Sequence, residues 1–162
     1  MDTESRKVLA GLVGRGCPGS LATLREGGPS VGMVLCAPDG EGAFLIHVSR
    51  LAAHTGDLLA DPRVALLLVG PAPGGNPQAA PRVSLRGRAA EVPRESPGGQ
   101  AAARAYLAAF PQAEAMFGFG DFLLFRIVPE EVRFVGGFAK AFDVAPSELK
   151  ELQESGAAGS AS

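Results

Sequence analysis

The spacing of apolar positions changes several times along the chain, and each change marks an element. Val8, Leu9, Leu12 and Val13 recur at helical spacing, which predicts a helix over 3–14, stopped by the glycines between 14 and 19. Short apolar runs then predict strands over 20–24, 30–36, 43–48 and 63–69. The run at 43–48 is mostly apolar, which predicts burial on both faces, and the run at 63–69 is again apolar. Over 82–92, Val83, Leu85, Gly87 and Ala89 alternate with Arg82, Ser84, Arg86 and Arg88, the mark of a strand with one face buried and one face polar or turned to a ligand. Two further strands are expected over 121–128 and 132–135, joined by a tight turn at Pro129-Glu130-Glu131.

Between these runs lie turn and helix signals. Residues 25–28 read as a turn, with Pro29 restarting the chain, and Pro38-Asp39-Gly40 reads as a hairpin turn because Asp-Gly tolerates positive φ. Leu51, Thr55, Leu58 and Leu59 share one face of a helix expected over 51–60 and ended by Asp61-Pro62. Residues 70–81 are a Gly/Pro-rich loop. An Ala-rich helix is expected over 97–110, ended by Pro111, and a last one over 146–154. The small residues of 156–162 read as a disordered tail. Six or seven short strands in successive hairpins, with flanking helices, give a mainly β (α+β) chain and favour an antiparallel barrel over a doubly wound sheet. Residues 1–145 form its domain, followed by a C-terminal helix and tail over 146–162.

Composition narrows the function classes. At 162 residues and 46% hydrophobic, the chain holds one domain with a real core. A formal net charge of −2 gives no broad basic field for nucleic acid. The longest apolar runs, such as 64–69, are too short to cross a bilayer. Residues 1–5 lack a basic start followed by an apolar stretch, so the expected location is the cytoplasm. Cys17 and Cys36 have no metal-ligand spacing, and no disulfide is expected in a reducing compartment. Tryptophan is absent, so strong visible absorption would have to come from a ligand.

The chemistry-bearing residues gather at one place. Ser49, Arg50, His54 and Thr55 surround a strand-to-helix junction, where free N–H groups and a partial positive charge suit a phosphate. His47 ends the preceding strand. A lone histidine is more often structural than catalytic, and His47 and His54 lack the carboxylates of a zinc site. There is no Gly-x-Ser-x-Gly elbow and no P-loop, and Gly118-Phe119-Gly120 reads as a turn. Glu130-Glu131 reads as a solvated pair. Such a pocket has little acid–base machinery and suits a cofactor that brings its own reactivity.

The order of segments resembles the pyridoxamine 5′-phosphate oxidase-like, FMN-binding split-barrel proteins, and within them the haem-utilisation subgroup. The resemblance runs from about 21 to 143. It rests on Leu21-Ala22-Thr23-Leu24, Gly28-Pro29-Ser30, Ser49-x-Leu51-Ala52-x-His54-Thr55 and Asp61-Pro62-Arg63-Val64-Ala65-Leu66. It continues through Arg82-Val83-Ser84-Leu85-x-Gly87-x-Ala89, Gly118-Phe119-Gly120-Asp121-Phe122 and Val135-Gly136-Gly137-Phe138-Ala139-Lys140-Ala141. It implies a six- to seven-stranded antiparallel split β-barrel acting as a homodimer, with FMN in the groove between protomers. By position, Ser49, Arg50, His54 and Thr55 would then sit near the FMN phosphate. Ser30, Met33 and Val34 would run along the isoalloxazine. Arg82, from the second protomer, and Lys140 would border the groove. The oxidase's two cofactor-holding cations on the second strand align with Gly32 and Ala37, and its C-terminal substrate-binding Arg and His are absent, so true pyridoxamine-phosphate oxidase activity is not expected. The expected function is an FMN-dependent oxidoreductase. A haem-binding protein with His47 or His54 as ligand, an F420-binding barrel using Arg82, Arg86 and Arg88, and a dimeric barrel without a cofactor are the alternatives.

Overall fold

The computed structural model describes residues 1–137 and 140–159. The chain opens with helix α1 (Thr3–Val13), capped at Asp2, whose carboxylate accepts from Ser5 N and from the Ser5 hydroxyl. Strands β1 (Cys17–Arg25) and β2 (Gly28–Pro38) form a hairpin closed by Glu26 and Gly27, both at positive φ. Strand β3 (Phe44–Ser49) follows a turn in which Asp39 accepts from the N–H groups of Glu41 and Ala43. Then come helix α2 (Ala53–Ala60), strands β4 (Arg63–Val69) and β5 (Arg82–Glu91), helix α3 (Pro97–Ala109) and a short helix α4 (Glu114–Phe117). The chain ends in β6 (Phe122–Val135), β7 (Ala141–Val144) and helix α5 (Leu149–Ala158).

The sheet order is β3-β2-β1-β4-β5-β6-β7, and β3 also pairs with β6. That pairing closes β1–β6 into an antiparallel six-strand barrel, with β7 as an extra strand on the free half of the β6 edge. Side chains of alternate residues fill the barrel, among them Leu21, Ile46, Leu66, Leu85, Phe125 and Phe134. Helices α1 and α5 close one end and α2 closes the other.

Two sequence expectations are corrected. Residues 121–128 and 132–135 are not separate strands. They form the single β6, which runs through Pro129 because β5 and β6 slip register between Arg86 and Gly87. A Cβ at Gly87 would stand 2.1 Å from Val128 O, so only glycine admits the approach. Glu131 is therefore a strand residue, ion-paired with Arg86 rather than only solvated. The apolar run at 63–69 is buried on one face only: Leu67 is 37% and Val69 51% exposed. The equally apolar β3 is buried on both faces because α3 covers its outer side, where Leu45 packs with Tyr106, Phe110 and Leu124. No helix covers β4. Strand β7 and helix α4 carry too few apolar positions to show a period.

The helix expected over 146–154 runs on to Ala158, so the start of the anticipated tail is helical, and residues 160–162 lie outside the described residues. Leu149 and Leu152 of α5 lie fully buried in the same core as the strands. Gln153, also buried, accepts from Gly42 N at 3.0 Å and donates to Ala43 O at 2.9 Å, tying α5 to the β2–β3 turn. Helices α1 and α5 cross at Gly14 and Gly156, where a Cβ on Gly156 would stand 1.9 Å from Ala10 O. Gly156→Ala is expected to force the helices apart at a cost of about 1–3 kcal/mol, read as a lower urea midpoint at unchanged slope.

Candidate functional site

The strand-to-helix junction at the α2 end is held by a tight local network. The Thr55 hydroxyl, fully buried, donates to Ser49 O at 2.6 Å. The Ser49 hydroxyl accepts from Leu51 N at 3.1 Å and donates to Asp121 Oδ2 at 3.3 Å, while Arg50 N donates to Asp121 O at 2.6 Å. The N-cap of α2 is Ala52, which offers no side-chain cap. Among the described residues nothing pairs with the Arg50 guanidinium. The junction thus offers a helix N-terminus and one free cation, but it also carries the Asp121 carboxylate, and its two hydroxyls are engaged.

Helix α2 is clamped to the barrel by Asp57. Its carboxylate accepts the Arg25 Nε and Nη2 groups at 3.0 Å each and the Thr23 hydroxyl at 2.7 Å. Arg25 first, then Thr23, hold the Asp57 carboxyl below the usual range, while Leu58 plugs the core beneath. Three residues earlier, His54 is half-buried with Nδ1 3.3 Å from where a Gly32 Cβ would stand. Burial lowers its pKa, Asp57 opposes the shift and Arg25 adds to it, so the imidazole is neutral at pH 7. Gly32 thus makes the room in which His54 sits over β2.

Beside this junction a sheet face lies open. Reading across the strands, Met33, Ser20, Leu67 and Ser84 form one row, and Val31, Ala22, Ala65 and Arg86 the next. Val31 is 74% and Met33 69% exposed, and at the junction Leu51 is 90% exposed. Uncovered apolar side chains on neighbouring strands mark an interaction surface.

The expected site residues divide between the two ends of the barrel. Ser30, Ser49, Arg50, His54 and Thr55 gather at the α2 end, Ser30 opposite Thr23 in the hairpin, while Met33 lies mid-strand opposite Ser20. The Val34 side chain is committed to the core, and Ala37 is buried under α3, so neither side chain borders the junction. Arg82 pairs with Val135 and Lys140 precedes β7, which puts both at the opposite end, about 30 Å along β5 from Glu91 by strand rise. Arg82 Nη1 donates to Ala80 O at 3.2 Å, and Lys140 Nζ lies 3.6 Å from Asp2 Oδ2. One chain does not bring the two groups together. Of the Gly136–Lys140 segment, Phe138 and Ala139 lie outside the described residues. Gly118–Gly120 is a turn, as expected.

His47 stands apart from the junction. Its ring stacks flat on Phe117, with centroids 3.9 Å apart and planes at 7°, against Phe122 and Tyr106. Burial, then Arg94, lowers its pKa to about 4. Its Nε2 is sealed from solvent without a partner, so an iron would reach it only by displacing these rings.

The family model described as pyridoxamine 5′-phosphate oxidase matches residues 13–136. The chain belongs to that family. It is 43% identical, over 143 residues and 86% of its length, to the chloroplastic non-canonical heme oxygenase HOZ of Arabidopsis thaliana, of which it spans 41%. Its structure matches a heme-binding protein from Mycobacterium smegmatis with a TM-score of 0.83 at 28% identity, over 93% of this chain and 62% of that one. The fold also matches HutZ, the heme storage protein of Vibrio cholerae, with a TM-score of 0.65 at 22% identity, over 80% of this chain and 88% of that one. No helix among the described residues is long and apolar enough to cross a membrane.

Sequence reasoning missed Asp57, Thr23, Arg25 and Asp121. The signal was present for the first three: Asp57 falls one helical turn after His54, and Thr23-x-Arg25 places both partners on one strand face. Two acid effects follow. Asp57 has a depressed pKa, so the advantage of the wild type over Asp57→Asn is full above pH ~4 and is lost below it, as read by urea titrations at several pH values. His47 is a base held neutral, so stability falls by up to about 3 kcal/mol as pH drops from about 6.5 to about 4, a slope that His47→Phe should flatten.

Proposed function

We propose that this chain binds haem at the α2 end of its barrel, as a two-fold symmetric dimer, and acts in haem utilisation or breakdown. The observation that carries the reading is His54: a neutral, half-buried imidazole beside Gly32 at the strand-to-helix junction, in a chain 43% identical to a heme oxygenase over 86% of its length. A neutral imidazole is the form that ligates iron. Exposed Leu51 at the junction suits a macrocycle, and the free Arg50 suits a propionate. His54 replaces His47 as the candidate ligand. Bound haem would supply the iron chemistry; this chain's own residues ligate, orient and cover it.

The dimer is supported by the open face of β2, β1 and β4. A two-fold contact there with its axis across the strands would turn the Arg82 and Lys140 end of one copy toward the His54 end of the other. That arrangement supplies the cations one chain keeps apart. Cytoplasmic placement is supported by two unpaired thiols, Cys17 and Cys36, the state a reducing compartment maintains.

FMN and oxidoreductase activity form the second reading, favoured by the uncapped N-terminus of α2 and the free Arg50, which suit a phosphate. The engaged hydroxyls of Ser49 and Thr55 and the carboxylate of Asp121 weigh against it. F420 is supported least, because Arg86 is paired with Glu131 and Arg82 folds onto its own loop.

Titration of the purified protein with haem is expected to give a Soret band, lost or shifted in His54→Ala and retained in His47→Ala. A band unchanged in His54→Ala overturns the ligand, and no band overturns haem. Quenching of FMN fluorescence at micromolar concentration would then favour the second reading. Sedimentation is expected to show a dimer that Met33→Glu with Leu67→Glu dissociates.

A further inference from the structure

The chain has two cysteines, and the fold sets them against each other. Cys17 opens β1, Cys36 lies near the end of β2, and the ladder between the strands pairs them as direct opposites. Opposite residues of an antiparallel pair project to the same face. Here that face is the barrel core, where Cys36 is buried and Cys17, half-buried, packs against the same cluster. Pro18 and Pro29 have no N–H to give, and they pair with Leu35 and Leu24 at positions of this ladder that need no donor. By alternation the Cys17–Cys36 pair is a hydrogen-bonded one, with Cα atoms about 5.5 Å apart. That separation lies within the range of roughly 4.4–6.8 Å that disulfides span.

The pair marks a corner of the barrel. The β1–β2 ladder ends at Cys36, and the β2–β3 ladder begins there with Ile46, so Cys36 is the one residue of β2 shared by both. Beyond it only Ala37 and Pro38 hold β2 to β3. Gly19 is the next inward-facing residue of β1. A Cβ there would stand 3.3 Å from Cys36 Sγ, and its absence leaves the thiol room to turn. Burial pushes both thiols up, and the neighbouring Cys17 adds to the rise at Cys36. Thiolate is therefore scarce at pH 7, and the less buried Cys17 is the one a reagent reaches first.

We propose that Cys17 and Cys36 are a reversible oxidation site, closed by exchange with a low-molecular-weight disulfide such as oxidised glutathione, and that the bridge locks the corner where β2 passes from β1 to β3. The Cys17 thiolate attacks one sulfur of the reagent, a mixed disulfide forms and one glutathione thiolate leaves. The Cys36 thiolate then attacks the Cys17 sulfur, which closes the bridge and releases the second glutathione thiolate. Two protein thiols are oxidised, one small disulfide is reduced to two thiols, and the two protein protons pass through solvent to the leaving thiolates. In a reducing pool the dithiol is the resting form. The site faces the barrel core, away from the outer face proposed for the dimer, and uses neither haem nor a second copy.

The test is equilibration of the folded, reduced full chain with oxidised and reduced glutathione at about pH 8, followed by acid quench, alkylation and intact mass. The expected product is a single chain about 2 Da lighter with no alkylated cysteine, whose digest joins the Cys17 and Cys36 peptides and which dithiothreitol returns to the dithiol. Amide hydrogen exchange at residues 36 and 44–46 is expected to slow by about tenfold or more in the bridged form. Cys36→Ser is expected to trap the mixed disulfide on Cys17, and Cys17→Ser to leave Cys36 unmodified while the chain is folded. Two free thiols after treatment of the folded chain, with bridging only in urea, overturn the proposal, as does a bridge formed only between chains. A bridged chain with unchanged amide exchange overturns the lock. No readout involves haem, so a missing Soret band removes the haem reading and leaves this one standing.

Discussion

The architecture depends on one strand. β6 pairs with β5 along most of its length on one edge, and on the other edge with β3 over its first half and β7 over its second. Without the β3 pairing the six strands would be an open sheet with two edges. A fourteen-residue strand can serve all three partners only if it bends. The slip between Arg86 and Gly87 provides the bend, with the bare Cα of Gly87 set against Val128 O and Pro129 placed where no ladder donor is needed.

Closure leaves an outer surface that is covered unevenly. Helix α3 lies over β2, β3 and the start of β6, where Leu45, Leu124 and Tyr106 form a second small core. Among the described residues no helix covers the outer face of β1 and β4, so Leu67 and Val69 face outward beside Val31 and Met33. The apolar outer side is thus divided into a satisfied half and an open half. The two histidines lie apart: His47 lies under the covered half, sealed by aromatic rings, and His54 lies at the α2 end on the inner side of β2.

Helix α2 is held at the junction for a simple electrostatic reason. Asp57 is buried, and a buried carboxylate needs partners; Arg25 and Thr23 supply them from the β1 strand. This pins the short helix α2, which lacks a side-chain cap and has little propensity of its own to persist. The position of His54 is therefore fixed through its own helix, one turn away from the ion pair.

The sequence by itself determined the elements whose pattern is local. The alternation of Val83, Leu85, Gly87 and Ala89 with polar residues made β5 legible, the turn at Asp39-Gly40 placed the β2–β3 hairpin, and the grouping of Ser49, Arg50, His54 and Thr55 marked the junction. Only the tertiary structure decided which apolar strand is covered on both sides, since β3 and β4 look alike until α3 packs on one of them. It alone joined two apparent strands into β6, because the bulge belongs to the pairing with β5 and not to residues 129–131. It alone separated Arg82 and Lys140 from His54, and His47 from solvent. Periodicity reports how a segment meets its own surface; coverage, register and distance across the barrel arise from other segments, and no local pattern carries them.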